Sequence, residues 1–547
     1  MRTLLLLLLS AAAIAEAQRP FSRADTLRGS NGPGRSWWDA EFYDLHVTVN
    51  PADSTIRGWN AITYRALSPG REMQIDLQVP LVIDSVIHDG RTLTFRRDSN
   101  AYFVAMPARA SHATAGKPRV TVYYHGKPRA ARRAPWDGGF DWKTDSLGNL
   151  HIATSNQGLG ASVWWPNKDY GGDEPDSQRV AITLPDPLVN VSNGRLRSVT
   201  RAANGMTTWE WFVSSPVNNY GIAVNAGRYA HFTHYYQGEA GMLTMDFYPL
   251  AIHADTARKQ FMQAVSTIAC FERWFGPYPW YEDGFKLIET HHLGMEHQSA
   301  VAYGNHYKNG YRGTDLSGTG WGEKWDFIIV HETAHEWWAN NITAQDQADM
   351  WIHESFGNYA EGLYTECEHG PAAGAEYIIG SRKNIANDRP IIPAFGVNAQ
   401  GSGDMYPKGG SMLHTMRQVL NDDARWRATL RGAQQQFRRQ TISGQQLREY
   451  ISRATGVDFT KVFQQYLTTT MVPRLEYRVE QGQLSYRWTN TVPGFDMPVE
   501  VALARAPATF VRLSPTTTWK TTTMDVRPGD QVSAKRDYYV EVRSATP

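Results

Sequence analysis

One run of twelve residues, Phe327-Ile328-Ile329-Val330-His331-Glu332-Thr333-Ala334-His335-Glu336-Trp337-Trp338, constrains this chain more than any other. Each residue of an α-helix turns about 100°, so His331 and His335, four apart, return to one face and can offer two imidazoles to one ion. The apolar flanks predict a buried helix over 324–340. Neutral imidazole suits zinc, and a catalytic zinc needs a third protein ligand with one position left for water. Glu354 is the candidate. It sits in Trp351-Ile352-His353-Glu354-Ser355-Phe356-Gly357-Asn358-Tyr359, which reads as a second helix over 351–368, and two antiparallel helices would bring its carboxylate to the histidines. One zinc per chain is therefore expected, on His331, His335 and Glu354. His353 then points elsewhere, as packing or support. Asn358 and Glu361 share roughly the face of Glu354 and either orient ligands or form a solvated surface. In such a site zinc polarises the scissile carbonyl and acidifies its water. Glu332 is placed as the base that takes the proton and returns it to the leaving amine.

The remainder of the 547 residues is long enough for several domains. Lys plus Arg number 55 against 54 Asp plus Glu, a net charge of +1, so no strong field exists to collect nucleic acid or an anionic membrane. Arg2, the apolar run 4–15 and Ala15-Glu16-Ala17 predict a signal peptide over 1–17, cut after Ala17, and a secreted or periplasmic product. That run is too short for a membrane span and nothing comparable follows. Cys270 and Cys367 are the only cysteines, which excludes a disulfide framework and leaves a single bridge open.

From Phe42 to Gly227 the apolar period is two (Tyr43, Leu45, Val47, Val49; Met73, Ile75, Leu77, Val79), predicting an N-terminal β domain over 18–235. The basic stretch 127–135, with Lys127, Arg129, Arg132 and Arg133, reads as a solvated loop. Between 251 and 467 the period lengthens toward 3.6, with helices expected at 258–275, 324–340, 351–368, 410–421 and 445–455, giving a catalytic domain over 236–470. After Pro473 alternation returns, predicting a small β unit over 471–547.

Taken together, the zinc-site helix and the distal glutamate at this spacing resemble the aminopeptidase N family of zinc metallopeptidases, the gluzincins. Two further motifs carry the resemblance. Upstream, Gly294-Met295-Glu296-His297 is similar to the family's Gly-x-Met-Glu-Asn strand, departing from it at Leu293 and His297. The resemblance implies that Glu296 binds the substrate's free α-amine and that Gly294 and Met295 lie along the peptide, with Gln157 assisting at the amine. An exopeptidase needs such a carboxylate at a fixed short distance from the metal, since only the ammonium-bearing end then presents its first carbonyl. Downstream, Tyr406-Pro407-Lys408-Gly409 resembles the family's Tyr-x-Lys-Gly segment, which implies that the Tyr406 phenol donates to the oxyanion.

The implied fold is multidomain α+β: a saddle-like β domain, a thermolysin-like catalytic domain and a small β-sandwich. Many members add a large helical domain, whereas this sequence stops at Pro547, so a short form with an open cleft tolerant of longer peptides is expected. The leading reading is an exported zinc aminopeptidase acting on peptides. The alternatives are a zinc endopeptidase or other hydrolase that needs no free amine, and a catalytically silent peptide-binding scaffold. The His291, His292, His297 cluster reads as no second metal site, and the pairs Trp37-Trp38, Trp164-Trp165 and Trp337-Trp338 read as core, with several at the cleft.

Overall fold

The computed structural model describes residues 21–107, 117–522 and 524–545. The predicted signal peptide lies outside them. The chain is a multidomain α+β protein, and the period-two segments do form sheets. The largest has eight strands, in the order Arg195–Arg201, Met206–Val213, Ser177–Pro185, Trp38–Asn50, Thr55–Ala66, Arg119–Gly126, Val82–His88 and Arg91–Leu93. Trp38–Asn50 pairs parallel with Ser177–Pro185 and antiparallel with Thr55–Ala66. Its alternate residues Tyr43, Leu45, Val47 and Val49 all point into the core, as a half-buried strand requires. Met73, Ile75 and Leu77 are buried likewise, while Val79 lies beyond its strand and is 61% exposed. A four-stranded and a three-stranded sheet complete this β-rich part.

A second sheet carries the site. Its order is Phe232–Gly238, Gly241–Tyr248, Phe285–Glu289, Val301–Tyr303 and Gly294–Met295, so the short strand Gly294–Met295 forms an edge. The expected division at 235/236 falls inside Phe232–Gly238. Phe285–Glu289 is buried throughout and has parallel neighbours on both sides, the environment that selects a continuous run rather than an alternating one.

Helices pack behind this sheet. The expected helix 258–275 is two, Ala254–Gln260 and Gln263–Phe275, and the expected helix 324–340 is α-helical only over Phe327–Ala334. The Asp326 carboxylate caps its start by accepting from Ile328 N at 3.1 Å and Ile329 N at 3.4 Å. After Ala334 the chain opens into a wider turn in which Asn340 N–H reaches His335 O at 3.0 Å and Trp338 leaves helical geometry. Trp338 stacks on Phe356 at 3.8 Å, so packing against the next helix outweighs the helical period here.

That next helix is Trp351–His369, followed by Gly370 and the helix Pro371–Ser381. Pro407–Leu420, Asp423–Gln436, Gly444–Thr455 and Thr460–Thr468 complete the layer. Two further sheets, built around Arg474–Glu480 with Gln483–Thr489 and around Val499–Leu503, close the chain. Their buried Leu475, Trp488, Val499 and Val501 belong to the same apolar core as the helices Phe327–Ala334 and Trp351–His369, whereas the N-terminal sheets have a core of their own. Cys270 and Cys367 are joined, which ties Gln263–Phe275 to Trp351–His369. Among the described residues no helix is long and apolar enough to cross a membrane.

Candidate metal centre and peptide cleft

His331 and His335 stand on the last turn of Phe327–Ala334 and at its cap, with their Nε2 atoms 3.2 Å apart. Glu354, in the first turn of Trp351–His369, brings Oε2 to 3.7 Å from His331 Nε2 and 3.5 Å from His335 Nε2. Gly357 makes this approach possible. A Cβ there would lie 2.9 Å from His335 Cε1 and 3.3 Å from His331 Cε1, so any larger residue would push the two helices apart.

The donor set fits a cation. His331 Nδ1 donates to Glu361 Oε1 at 2.8 Å and His335 Nδ1 to Trp338 O at 2.9 Å, so in each neutral ring it is the Nε2 lone pair that faces the centre. Glu354 Oε2 is buried with no hydrogen-bond partner. Two lone pairs and an orphaned carboxylate oxygen converging at one buried point repel one another unless positive charge sits between them. Burial disfavours charging the rings, yet the neighbouring carboxylates of Glu354 and Glu361 hold His331 well above its ordinary pKa, and that of Glu354 lifts His335 to about 9. Burial likewise opposes ionising Glu354, but the two rings keep it far below the usual carboxylate range. Among the described residues these three form the only His, Cys, Asp or Glu group whose ligand atoms all lie within 4.8 Å of one another. His291, His292 and His297 form none.

Glu332 lines the same cleft, 8% exposed. Burial, opposed by His331 and aided by Glu296, raises its pKa to about 7. It lies against the edge strand: a Cβ on Gly294 would come within 2.6 Å of Glu332 Oε1 and 2.8 Å of Ile328 Cγ2, so glycine is required there. Tyr406 precedes the helix Pro407–Leu420, whose first residue is proline, and Ser355 Oγ on the glutamate helix donates to Met405 O at 2.8 Å, fixing the loop. The Tyr406 ring lies 5.9 Å from that of His331. Burial and then the Glu354, Glu296 and Glu332 carboxylates push its pKa well above 10, so the phenol stays a donor.

Glu296, just beyond the edge strand, is joined to the triad by Gln157. Gln157 Nε2 donates to Glu296 Oε1 at 2.6 Å and to Glu354 Oε1 at 3.0 Å. All the residues singled out in sequence, Gln157, Gly294, Met295, Glu296, His331, Glu332, His335, Glu354 and Tyr406, thus border one cleft of about 660 Å³.

Sequence reasoning missed Tyr220, Asn340 and Tyr377, while Asn358, Glu361 and His353, which it named, make supporting contacts. Tyr220 OH donates to Glu296 Oε1 at 3.0 Å, and Asn340 Nδ2 holds Glu296 O at 2.9 Å. Glu361 is itself held by Tyr377 OH at 2.7 Å and Asn358 Nδ2 at 3.1 Å. His353 Nε2 accepts from Ala344 N at 2.9 Å and so braces the connection between the two helices. The three tryptophan pairs are core, and the tryptophan that does line the cleft is Trp136, just past the stretch 127–135 read as a solvated loop, whose Pro135 lines the cleft beside it.

Fold and site together are those of a multidomain α+β protein with a candidate metal site of two histidines and one glutamate. Residues 260–466 match the Peptidase family M1 domain, and the curated proteins to which the chain is similar include aminopeptidases N. It is 28% identical over 170 residues to aminopeptidase N of Lactobacillus helveticus (29% of this chain, 20% of that protein). It is 21% identical over 347 residues to aminopeptidase N of Streptomyces lividans (56% and 38%). These matches span a fifth to two-fifths of the length of the curated relatives. A crystal structure of an M1 zinc metallopeptidase from Deinococcus radiodurans shares the fold with a TM-score of 0.66, at 20% identity, over 81% of this chain and 96% of that one.

Proposed function

We propose that this protein is an exported zinc aminopeptidase that removes amino-terminal residues from peptides. The observation that carries this reading is the Gln157 amide, which spans from Glu296 to Glu354 and so pins an amine-selecting carboxylate one amide away from the metal ligands. A peptide adds to the open edge of Gly294–Met295 as a further strand, its α-ammonium meeting Glu296, and this places the first carbonyl beside Glu332 and Tyr406.

When bound by His331, His335 and Glu354, zinc supplies Lewis acidity toward the scissile carbonyl and the attacking water. Glu332 takes the proton of that water and delivers it to the leaving amine, a role its place in the cleft beside the histidine pair allows. Tyr406 donates to the carbonyl oxygen as it gains charge. Glu361 and Trp338 O hold the ring tautomers.

The test is a leucine anilide and a short peptide, each with a free or an acetylated amino terminus. Turnover of the free forms is expected to vanish with chelator, return with zinc and fall about 10²–10⁴-fold in Glu332→Gln, while acetylated forms stand untouched. Undiminished cleavage of the acetylated peptide favours the endopeptidase alternative; chelator-resistant turnover sinks both. Export is supported by the leader-like sequence 1–17 and by the Cys270–Cys367 bridge, a bond that persists in oxidising compartments. A mature protein beginning at Gln18 in amino-terminal sequencing is the expected result.

A further inference from the structure

The cleft in front of Glu332 is lopsided in charge. Its lining carries Glu296, Glu332, Glu354 and Glu361, and among the described residues just one guanidinium, that of Arg389. Arg389 belongs to the wall that leads into Tyr406. Its Nη2 donates to Gly401 O at 3.1 Å, and Asp404, two residues before the phenol, accepts from Ala386 N at 2.8 Å and Asn387 N at 2.7 Å. The carboxylate expected to hold the amine comes from a different wall, the edge strand and Gln157.

Arg389 also has a weak claim on its charge. Its ion-pair partner is the adjacent Asp388, at 3.3 Å, with the two side chains 60% and 46% exposed. Asp388 already accepts from Ser402 Oγ. A solvent-exposed pair of this kind is worth little and gives way to a better acceptor. A guanidinium offers a planar fork that matches a carboxylate, and beside an incoming ammonium it would only repel, so the α-amine end of a substrate is not what it serves.

The mouth of the cleft repeats the sign. Loop residues Pro135 and Trp136 line it, with Trp136 60% exposed and the Arg312 guanidinium 5.8 Å from its ring. The Asp137 carboxylate of this loop is engaged by the backbone N–H groups of Arg132 and Arg133, at 2.7 and 2.8 Å, and both arginines are exposed. Cations at a cleft mouth raise the encounter rate with anions in a salt-dependent way.

We infer that Arg389 is a specificity residue that binds a carboxylate of the substrate on the leaving-group side of the scissile bond. The favoured substrates then carry an ammonium at one end and a carboxylate a few residues away. This rests on the aminopeptidase reading above. The carboxylate is either the chain terminus or an acidic side chain, and the substrates are chosen to separate the two: Leu-Ala-Ala, its carboxamide, and the carboxamide of Leu-Ala-Glu.

For the wild-type protein kcat/KM for the free acid is expected to exceed that for its carboxamide about tenfold, the effect of one charge-assisted pair. Recovery with the glutamate carboxamide assigns acidic side chains as a second source, and no recovery assigns the terminus alone. In Arg389→Gln the acid-to-amide ratio is expected to fall to about one, with Arg389→Lys retaining part of it. Because the ratio is internal to each variant, a loss of folded protein does not change it. Equal rates on acid and amide in the wild type, or a ratio that survives Arg389→Gln, overturns the inference. The same ratio is read as Kd on Glu332→Gln protein, where equal affinities overturn it equally. Acid-preferring binding that is indifferent to amino-terminal acetylation would uphold Arg389 and sink the aminopeptidase reading instead.

Discussion

Glu361 stands one hydrogen bond away from the candidate metal site. By accepting from His331 Nδ1 it fixes which ring nitrogen keeps its lone pair, and Tyr377 and Asn358 hold Glu361 in turn. In Glu361→Gln the amide can present its NH₂ group as well as its oxygen, and the negative charge that favours the ring as a ligand is gone. Metal affinity is expected to fall about 10–100-fold, read by competition with a chromophoric chelator, while unfolding of the metal-free protein moves little. Tyr406 makes the contrasting case. In the mechanism proposed above its phenol donates to the carbonyl oxygen as that oxygen gains charge, so Tyr406→Phe is expected to lower kcat about 10²–10³-fold with KM nearly constant. Parallel rises in KM would reassign Tyr406 to substrate binding.

The active elements are held together covalently as well as by packing. Cys270 on Gln263–Phe275 and Cys367 on Trp351–His369 are 97 residues apart, and the segment between them contains His331, His335 and Glu354. Closing a loop of that size removes much of the unfolded chain's freedom, about 4–5 kcal/mol in the loop-entropy account. The double variant Cys270→Ser, Cys367→Ser should therefore lose several kcal/mol in urea unfolding, and reductant should act on the wild type alone.

The helices differ in how far their sequences revealed them. The histidine pair was legible because it is a local pattern with a fixed angular consequence, Glu354 because it sits on the next helical stretch, and the Tyr406 segment only through its resemblance to a family motif. The end of the first helix at Ala334 was not, because it is decided by Trp338 stacking on Phe356 across a helix pair. Pro371–Ser381 and Asp423–Gln436 went unforeseen, and Tyr220 was hidden for a related reason: it reaches Glu296 across 76 positions, with no motif of its own.

At the scale of the molecule, the cleft lies where the N-terminal part, through Pro135, Trp136, Gln157 and Gly158, meets the part that carries the histidine pair. Gln157 and Tyr220 come from the N-terminal part and Glu296 from the catalytic sheet. The polar seam between the two parts continues at Asn193, whose Nδ2 donates to Gln298 O at 2.8 Å, at Gly194 N, which meets Ser299 Oγ at 2.9 Å, and at Gln298 Nε2, which meets Pro216 O at 2.9 Å. His297 opens this run, and His292 stands five residues before it. Both are buried, with both ring nitrogens of each unpartnered.

Burial depresses both pKa values to about 3, and for His292 the neighbouring His297, His151 and His291 add to it. An unfolded histidine titrates near 6.5, so between about pH 6.5 and 3 the unfolded chain binds more protons than the folded one and stability rises with pH. The contribution is fully present above 6.5 and is lost as pH falls toward 3, at about 1.4 kcal/mol per pH unit for each ring. Urea midpoints measured in chelator at pH 7, 5 and 4, so that metal loss plays no part, should fall steeply with acid. They should fall less steeply in His297→Gln. If the two proteins share one slope, the acid sensitivity lies in other groups and His297 is not what acid acts on along the seam.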